Sequence, residues 1–465
     1  MFKKLLIANR GEIACRVIRT CRRMGIATAA VYSEADADAL HVSLADEAHC
    51  VGPAPAAESY LNSDRIISVV RDSGAEAVHP GYGFLAENPS FAEAVAGAGA
   101  VFVGPPPGAM RKLGDKISAR RLLKDLPVPV APWRRIPADD AAQAQEAIEA
   151  LGLPVVVKAS AAGGGIGTSI VHSPTDLPHA LETASGAAKR FFNSDTIHLE
   201  RFVSHARHIE IQVLADGHGN VIHLFERECS MQRRYQKVVE EAPSTAVTGS
   251  LRAALADAAI MVMKTGGYVN AGTVEFLVDQ DANFYFLEVN SRIQVEHAIT
   301  EMITGVDIVE QQLRVANGEC LALSQEDVSA EGHAFEARIY AEDPDTFLPV
   351  PGTIKAYIEP SGDGVRVDSG VRRGYAVNTH YDPMLAKLIV HGSNRKEALA
   401  RMRVALDDFV IDGLVTNIPL LSKIFRHPGF ISGSYDTGTL TRDFGTEAVL
   451  AKSGIGLSEL WRYGN

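Results

Sequence analysis

One stretch, Asn270 to Met302, constrains the fold most, because it joins a strand pattern to more charge than an ordinary strand carries. The β-rich runs 273–278 and 284–290 flank a polar segment, 279–283, which predicts a β-hairpin. Side chains alternate faces along a strand, so Glu288 and Asn290 share one face, and hairpin register sets Glu275 opposite Glu288 on it. Like charges facing each other across strands cost about 0.2–1 kcal/mol. A divalent cation between them reverses the sign, and Mg²⁺ suits a few carboxylate or amide oxygens completed by phosphate oxygens. Directly after the strand, Ser291-Arg292-Ile293-Gln294-Val295-Glu296-His297 brings a guanidinium, an amide and a carboxylate beside that site. An acidic surface hairpin would explain a lone E-x-N, but not the second glutamate together with R-x-Q-x-E.

The 465 residues are too many for one simple core and predict two to four domains. Hydrophobic residues at 46% and charged ones at 22% fit a soluble globular enzyme. There is no apolar run of about 18 residues, so no membrane span is expected. The opening MFKKLLIANRGE lacks a signal cleavage pattern and predicts a first strand. A net charge of −12 argues against a nucleic-acid partner. Cys15, Cys21, Cys50, Cys229 and Cys320 are scattered and never C-x-x-C, which fits a reduced cytoplasm without a zinc site. Cys229 is expected as a buried, inert thiol.

Residues 3–9 predict a strand, 13–24 a helix and 27–32 a second strand, a nucleotide-fold unit repeated around 65–70 and 77–79. No G-x-G-x-x-G is present, so dinucleotide binding is not supported. His79 opens the loop His79-Pro80-Gly81-Tyr82-Gly83 and is expected to pack it, with Glu87 following. Residues 101–104 predict another strand, and Gly114-Asp115-Lys116 opens a helix to about Lys124. Pro127, Pro129 and Pro132 mark a boundary, an α+β segment extends to about Val203, and Gly332 begins a region of short strands. The helix predicted near 395–409 carries Leu399, Met402, Leu406 and Phe409 on one face. The expected organisation is α/β in three domains: 1–113, 114–330 and 331–446, with a tail at 447–465.

Lys158 ends a predicted strand and precedes Ala159-Ser160-Ala161-Ala162-Gly163-Gly164-Gly165-Ile166-Gly167-Thr168. Glycines in such a loop let successive N–H groups approach phosphate oxygens. Glu200 ends the strand predicted at 196–200, and His208 lies at the start of the next. Between Gln232 and Lys237 lie Arg233, Arg234 and Tyr235, a basic run that in isolation reads as a solvated patch. Arg338 alternates with Glu336 on one strand face, so a structural ion pair between them is the plain alternative to a catalytic arginine.

The run N-S-R-I-Q-V-E-H, with Glu275 and Glu288, resembles the metal and bicarbonate site of biotin carboxylases, which are ATP-grasp enzymes. The likeness extends from Met1 to roughly Gly445. It implies a Rossmann-like N-terminal (pre-ATP-grasp) domain, an ATP-grasp domain with a mobile lid at about 131–203, and a C-terminal α+β biotin-carboxylase domain. The implied ATP ligands are Lys116, Lys158, Gly163, Gly164, Gly165, Gly167, Glu200, His208 and Gln232, with Glu200 and His208 meeting adenosine. Glu275, Glu288 and Asn290 would hold Mg²⁺ or Mn²⁺, while Arg292, Gln294 and Val295 would bind bicarbonate. Glu296 would be the general base, Lys237 would reach phosphate and bicarbonate, and Arg338 would steady the anion on biotin. Two departures stand out: Ala161, Ala162, Ile166 and Thr168 alter the glycine loop, and Tyr235 replaces a common histidine.

The resemblance implies ATP- and bicarbonate-dependent carboxylation of biotin through carboxyphosphate. The partners implied are a biotin carboxyl carrier protein, a carboxyltransferase subunit and a second copy in a homodimer. Met263-Lys264 lies in a predicted helix and is followed by Thr265, so the biotin-bearing lysine is expected on a separate chain. The altered loop motivates an alternative, a urea-carboxylase-like or biotin-independent ligase with a free small-molecule acceptor. A non-catalytic nucleotide sensor would be expected to lack the metal and base residues, and here all are present.

Overall fold

A computed structural model describes residues 1–137, 140–159, 168–192, 196–233 and 235–445. Gly163, Gly164, Gly165 and Gly167, the altered positions Ala161, Ala162 and Ile166, and the tail at 447–465 lie outside the described residues.

The N-terminal strands β1 (Lys4–Ile7), β2 (Ala27–Tyr32), β3 (Glu47–Cys50), β4 (Ala77–His79) and β5 (Val101–Phe102) form a parallel sheet in the order β3-β2-β1-β4-β5. Parallel strands covered on both faces are apolar throughout, and Leu5, Leu6 and Ile7 are all fully buried. The helix Gly11–Met24 follows β1 and ends at Gly25, whose φ of 71° is the left-handed value a helix C-terminus needs. His79 is buried against Gln312 and the Gly81 N–H, the packing role expected for it.

A four-stranded antiparallel sheet comes next: β6 (Trp133–Pro137), β7 (Val155–Ala159), β8 (Ser169–Val171) and β9 (Thr196–Arg201), ordered β6-β9-β7-β8. The helices Ala141–Leu151 and Leu177–Phe192 accompany it. Lys158 lies inside β7 rather than past its end, and Arg201 extends β9 one residue beyond Glu200.

The remaining long strands are β10 (Arg207–Ala215), β11 (Val221–Arg233), β12 (Gln236–Ala242), β13 (Asn270–Val278), β14 (Phe284–Asn290) and β15 (His333–Tyr340). Short pieces β16 (Gly352–Thr353), β17 (Ala356–Ile358), β18 (Val365–Ser369) and β19 (Ala376–Val377) precede β20 (Met384–Gly392) and β21 (Val410–Asp412). Eight of these build one antiparallel sheet, β14-β13-β10-β11-β12-β15-β20-β18. This corrects the expectation of a region of only short strands after Gly332. There β15 and β20 span 8 and 9 residues and continue the central sheet. The free edge of β12 must be paired or covered, and β15 pairs with it. Of the basic run, Arg233 ends β11 and Lys237 lies in β12, which pair through Arg233 and Gln236.

Alternation gives the large sheet two unlike faces. Ile209, Ile211 and Val213 on β10 join Val274 and Phe276 on β13 in a core with Leu255, Ala259 and Val262 of the helix Gly249–Gly266. Phe335, Ala337 and Ile339 on β15 pack with Leu399, Met402, Leu406 and Phe409, the stripe predicted for the helix Arg395–Asp408. The intervening residues (His208, Glu210, Gln212, Glu275, Glu336, Arg338 and Lys387) are buried and polar. That second face carries the candidate site.

Candidate active site

The hairpin β13–β14 forms in the expected register, with Glu275 opposite Glu288 and Thr273 opposite Asn290. Each acidic group already meets a cation or amide. Glu288 bonds Lys116 at 2.8 Å. Glu275 receives Lys237 at 2.9 Å and the Gln294 amide at 2.8 Å on one oxygen, and His208 at 2.9 Å on the other. Asn290 Oδ1 accepts from Arg292 at 2.8 Å, and its Nδ2 is buried with no hydrogen-bond partner among the described residues. Burial pushes the Glu275 carboxyl up, but Lys237 and His208 outweigh it and hold it well below the ordinary range.

Lys237 stands among three carboxylates: Glu210 at 2.6 Å, Glu275 at 2.9 Å and Glu296 at 2.5 Å. Burial disfavours its charge, yet these anions raise its pKa well above the usual lysine value. Glu296 also bonds Arg338 at 3.0 Å. Burial favours its protonated form, but Lys237, Arg338 and Arg227 keep it ionised. Arg338 reaches Glu240 at 2.6 Å and Glu296, not Glu336, which corrects the plain ion-pair alternative. The reason is lateral: Glu336 faces Glu240 across the strands, and Arg338 lies two residues on.

Arg292 is held from three directions, by Glu87 at 3.1 Å, the Ile293 carbonyl at 3.2 Å and Asn290. The Val295 carbonyl accepts from Lys387, and Gln294 links Glu275 to Arg227 at 2.7 Å. Lys158 and Arg120 converge on Glu200 at 3.2 and 2.6 Å. Burial would raise the Glu200 pKa; the two cations bring it down to about 2. His208 contacts Glu275 and, at 3.5 Å, the Gln232 amide, so the described contacts group it with the hairpin rather than with Glu200. Cys229 is buried 4.0 Å from Glu296, and burial pushes its thiol well up, in keeping with an inert role.

Sequence reasoning missed the groups that hold this set in place. Arg227 is fully buried and donates to Glu210, Gln212, Thr300, Thr273 and Gln294. Glu210, Glu240, Arg120 and Lys387 are buried as well. For Glu210 a signal was available: alternate polar residues (His208, Glu210, Gln212) inside an otherwise apolar strand mark a buried polar face.

Whether the hairpin residues suit a divalent cation can be judged from the donor set alone. Glu275, Glu288 and Asn290 offer only hard oxygens, and Lys116, Lys237 and His208 occupy the two carboxylates. The residues therefore fit Mg²⁺ or Mn²⁺.

A sheet whose carboxylate-bearing hairpin faces cations, beside a smaller antiparallel sheet carrying a lysine, is the arrangement the resemblance to ATP-grasp enzymes implies. Family models agree: residues 1–110 match the biotin carboxylase N-terminal domain, 115–324 the carbamoyl-phosphate synthase L chain ATP-binding domain, and 336–442 the biotin carboxylase C-terminal domain. Biotin carboxylase 2 of Bacillus subtilis (strain 168) is 50% identical over 440 residues, covering 95% of this chain and 99% of its own. A Campylobacter jejuni biotin carboxylase–beta-gamma-ATP complex superposes with a TM-score of 0.92 at 44% identity, covering 95% of this chain and 99% of that one. The biotin carboxylase domain dimer of Hydrogenobacter thermophilus 2-oxoglutarate carboxylase, solved with MgADP, ADP and bicarbonate, gives 0.91 at 45% identity, covering 95% and 97%. The chain belongs to the biotin carboxylase family.

Proposed function

We propose that the protein carboxylates biotin on a separate carrier protein, using ATP and bicarbonate, as the first half-reaction of an acyl-CoA carboxylase. One observation carries this: Glu296 is held ionised between Lys237 at 2.5 Å and Arg338 at 3.0 Å, with its charge felt by Arg292. A base flanked by two cations suits an anionic substrate that must give up a proton. When bicarbonate draws Lys237 and Arg338 toward itself, Glu296 loses its stabilising partners and becomes the stronger base.

Lys116, Lys158, His208, Gln232, Glu200 and the glycines 163, 164, 165 and 167 take ATP in this reading. Arg292, Gln294 and the Val295 backbone take bicarbonate, the guanidinium through charge-assisted hydrogen bonds. Glu296 accepts the bicarbonate proton, and the freed oxygen attacks the γ-phosphorus to give carboxyphosphate and ADP. Glu275, Glu288 and Asn290 would hold Mg²⁺ or Mn²⁺, which supplies charge neutralisation at the phosphates when bound. Carboxyphosphate then yields CO₂ and phosphate, the phosphate takes the biotin N–H proton while Arg338 meets the charge on the ureido oxygen, and the freed nitrogen bonds the CO₂ carbon to give carboxybiotin. A carrier protein, a carboxyltransferase subunit and a second copy of this chain are the proposed partners. The proposed setting is the cytoplasm; all five cysteines are free, and no helix among the described residues is long and apolar enough to cross a membrane.

Glu296→Ala is expected to lower bicarbonate-dependent ADP release by about 100-fold or more, the usual weight of a general base, while ATP binding by calorimetry persists. Wild-type-like turnover would remove Glu296 from that role. Assays with and without biotin separate this reading from one with a free small-molecule acceptor, which the matched relatives do not favour.

A further inference from the structure

Beyond Arg338 the polar face continues into two carboxylates that the reaction as written does not use. Glu240 on β12 and Glu336 on β15 face each other in register and are 1% and 0% exposed. Glu240 Oε1 accepts from Arg338 at 2.6 and 2.7 Å, while its Oε2 is buried with no hydrogen-bond partner among the described residues. Neither oxygen of Glu336 has a hydrogen-bond partner among the described residues. Its nearest cation, Lys387 on β20, lies 3.7 Å away, is shared with Glu12 at 3.8 Å and Asp368 at 3.9 Å, and donates to the Val295 carbonyl.

Two adjacent buried carboxylates resist ionising together, since burial penalises each charge and the first penalises the second. A single proton resolves the vacant oxygens. As a carboxylic acid, Glu336 would have a donor to offer the free Oε2 of Glu240, which faces it across the strands, and would keep its other oxygen for Lys387. We propose that Glu240 and Glu336 hold one proton between them, and that this pair positions Arg338 by fixing how strongly its guanidinium is drawn away from the site.

The groups facing Glu336 support this from every packed element: Glu240 from β12, Arg338 on its own strand, Lys387 from β20, and Glu296, the residue just before the helix His297–Thr304. Burial pushes the Glu240 carboxyl up to about 7 despite Arg338. Burial also carries Glu336 well above the ordinary range, with Lys387 offsetting it only in part. Losing the shared proton adds a second negative charge behind Arg338 and draws it toward Glu240. Biotin-dependent kcat therefore falls on the alkaline side.

That kinetic consequence rests on the carboxylation reading, but the shared proton does not. Infrared difference spectra of the full chain, ¹³C-labelled at glutamate, read protonated carboxyl groups without turnover. Glu336→Gln is expected to lose one protonated-carboxyl band at neutral pH while keeping its unfolding midpoint, because the amide copies the acid's shape and donor. It is also expected to flatten the alkaline fall in kcat. Glu336→Leu, lacking a donor, lowers kcat about tenfold at every pH, as the loss of one buried hydrogen bond to a charged group would. An unchanged band, or a destabilised Glu336→Gln, overturns the shared proton. A lost band with an unaltered alkaline limb overturns the positioning of Arg338. Absence of biotin-dependent turnover in the wild type strikes the carboxylation reading, and the band still decides the proton.

Discussion

Arg227 shows what the site costs at the scale of one residue. A fully buried guanidinium is tolerable only when its donors are matched, and five side chains on β10, β13 and the segment after β14 match it. Arg227→Met removes the cation and leaves Gln294 and Thr273 without a donor. The expected loss is about 3 kcal/mol of stability, read from denaturant unfolding of the variant against the wild type. Little of this was legible in the sequence, since a lone arginine in HLFERECS reads like any surface-facing strand residue. Its burial depends on Thr300, which is 73 positions away. Glu275 and Glu288 were legible because hairpin spacing sets them on one face, whereas Lys237 and Arg338 came only through the family resemblance. Their present partners were not, because these follow from strand order.

At the scale of elements, the smaller sheet is tied to the helix Lys116–Leu122 by Glu200, which bonds Arg120 at 2.6 Å and Lys158 at 3.2 Å. The Glu200 pKa falls from its ordinary 4.5 to about 2 on folding. A carboxyl with a depressed folded value stabilises fully above its unfolded pKa, and that contribution is lost as pH falls through the folded one. Acid is therefore expected to loosen β7 and β9 between about pH 4.5 and 2. Hydrogen exchange should show their amides losing protection in that window, while Glu200→Gln, already without the tie, shows a flatter dependence. Hairpin β13–β14 was readable because both strands and their turn are contiguous. The joining of β15 and β20 to the same sheet was hidden, since β12 and β15 meet only after about ninety intervening residues.

Across the whole molecule, the N-terminal part of the chain reaches Arg292 through the carboxylate of Glu87. Glu87, in the turn before the helix Pro89–Gly97, accepts from the Ser291 N–H at 2.8 Å, the Ser291 hydroxyl at 3.2 Å and Arg292 Nε at 3.1 Å. Farther out, Arg16 on the helix Gly11–Met24 bonds Glu301 at 2.8 Å and Asp307 at 2.9 Å, so the same two parts of the chain are fastened twice. Removing Glu87 has two opposed effects. Loss of a negative charge near an anion site favours bicarbonate, while loss of three hydrogen bonds frees Arg292 and the backbone at Ser291 to turn away. The Glu87 side chain is 39% exposed, so solvent screens its charge, and the orientation effect is the larger. Glu87→Ala is accordingly expected to raise the KM for bicarbonate by about tenfold, the weight of one charge-assisted hydrogen bond, with the KM for ATP changed far less. Steady-state kinetics with each substrate varied in turn measures both constants. A lowered bicarbonate KM would mean that the carboxylate opposes the substrate more than it orders the arginine.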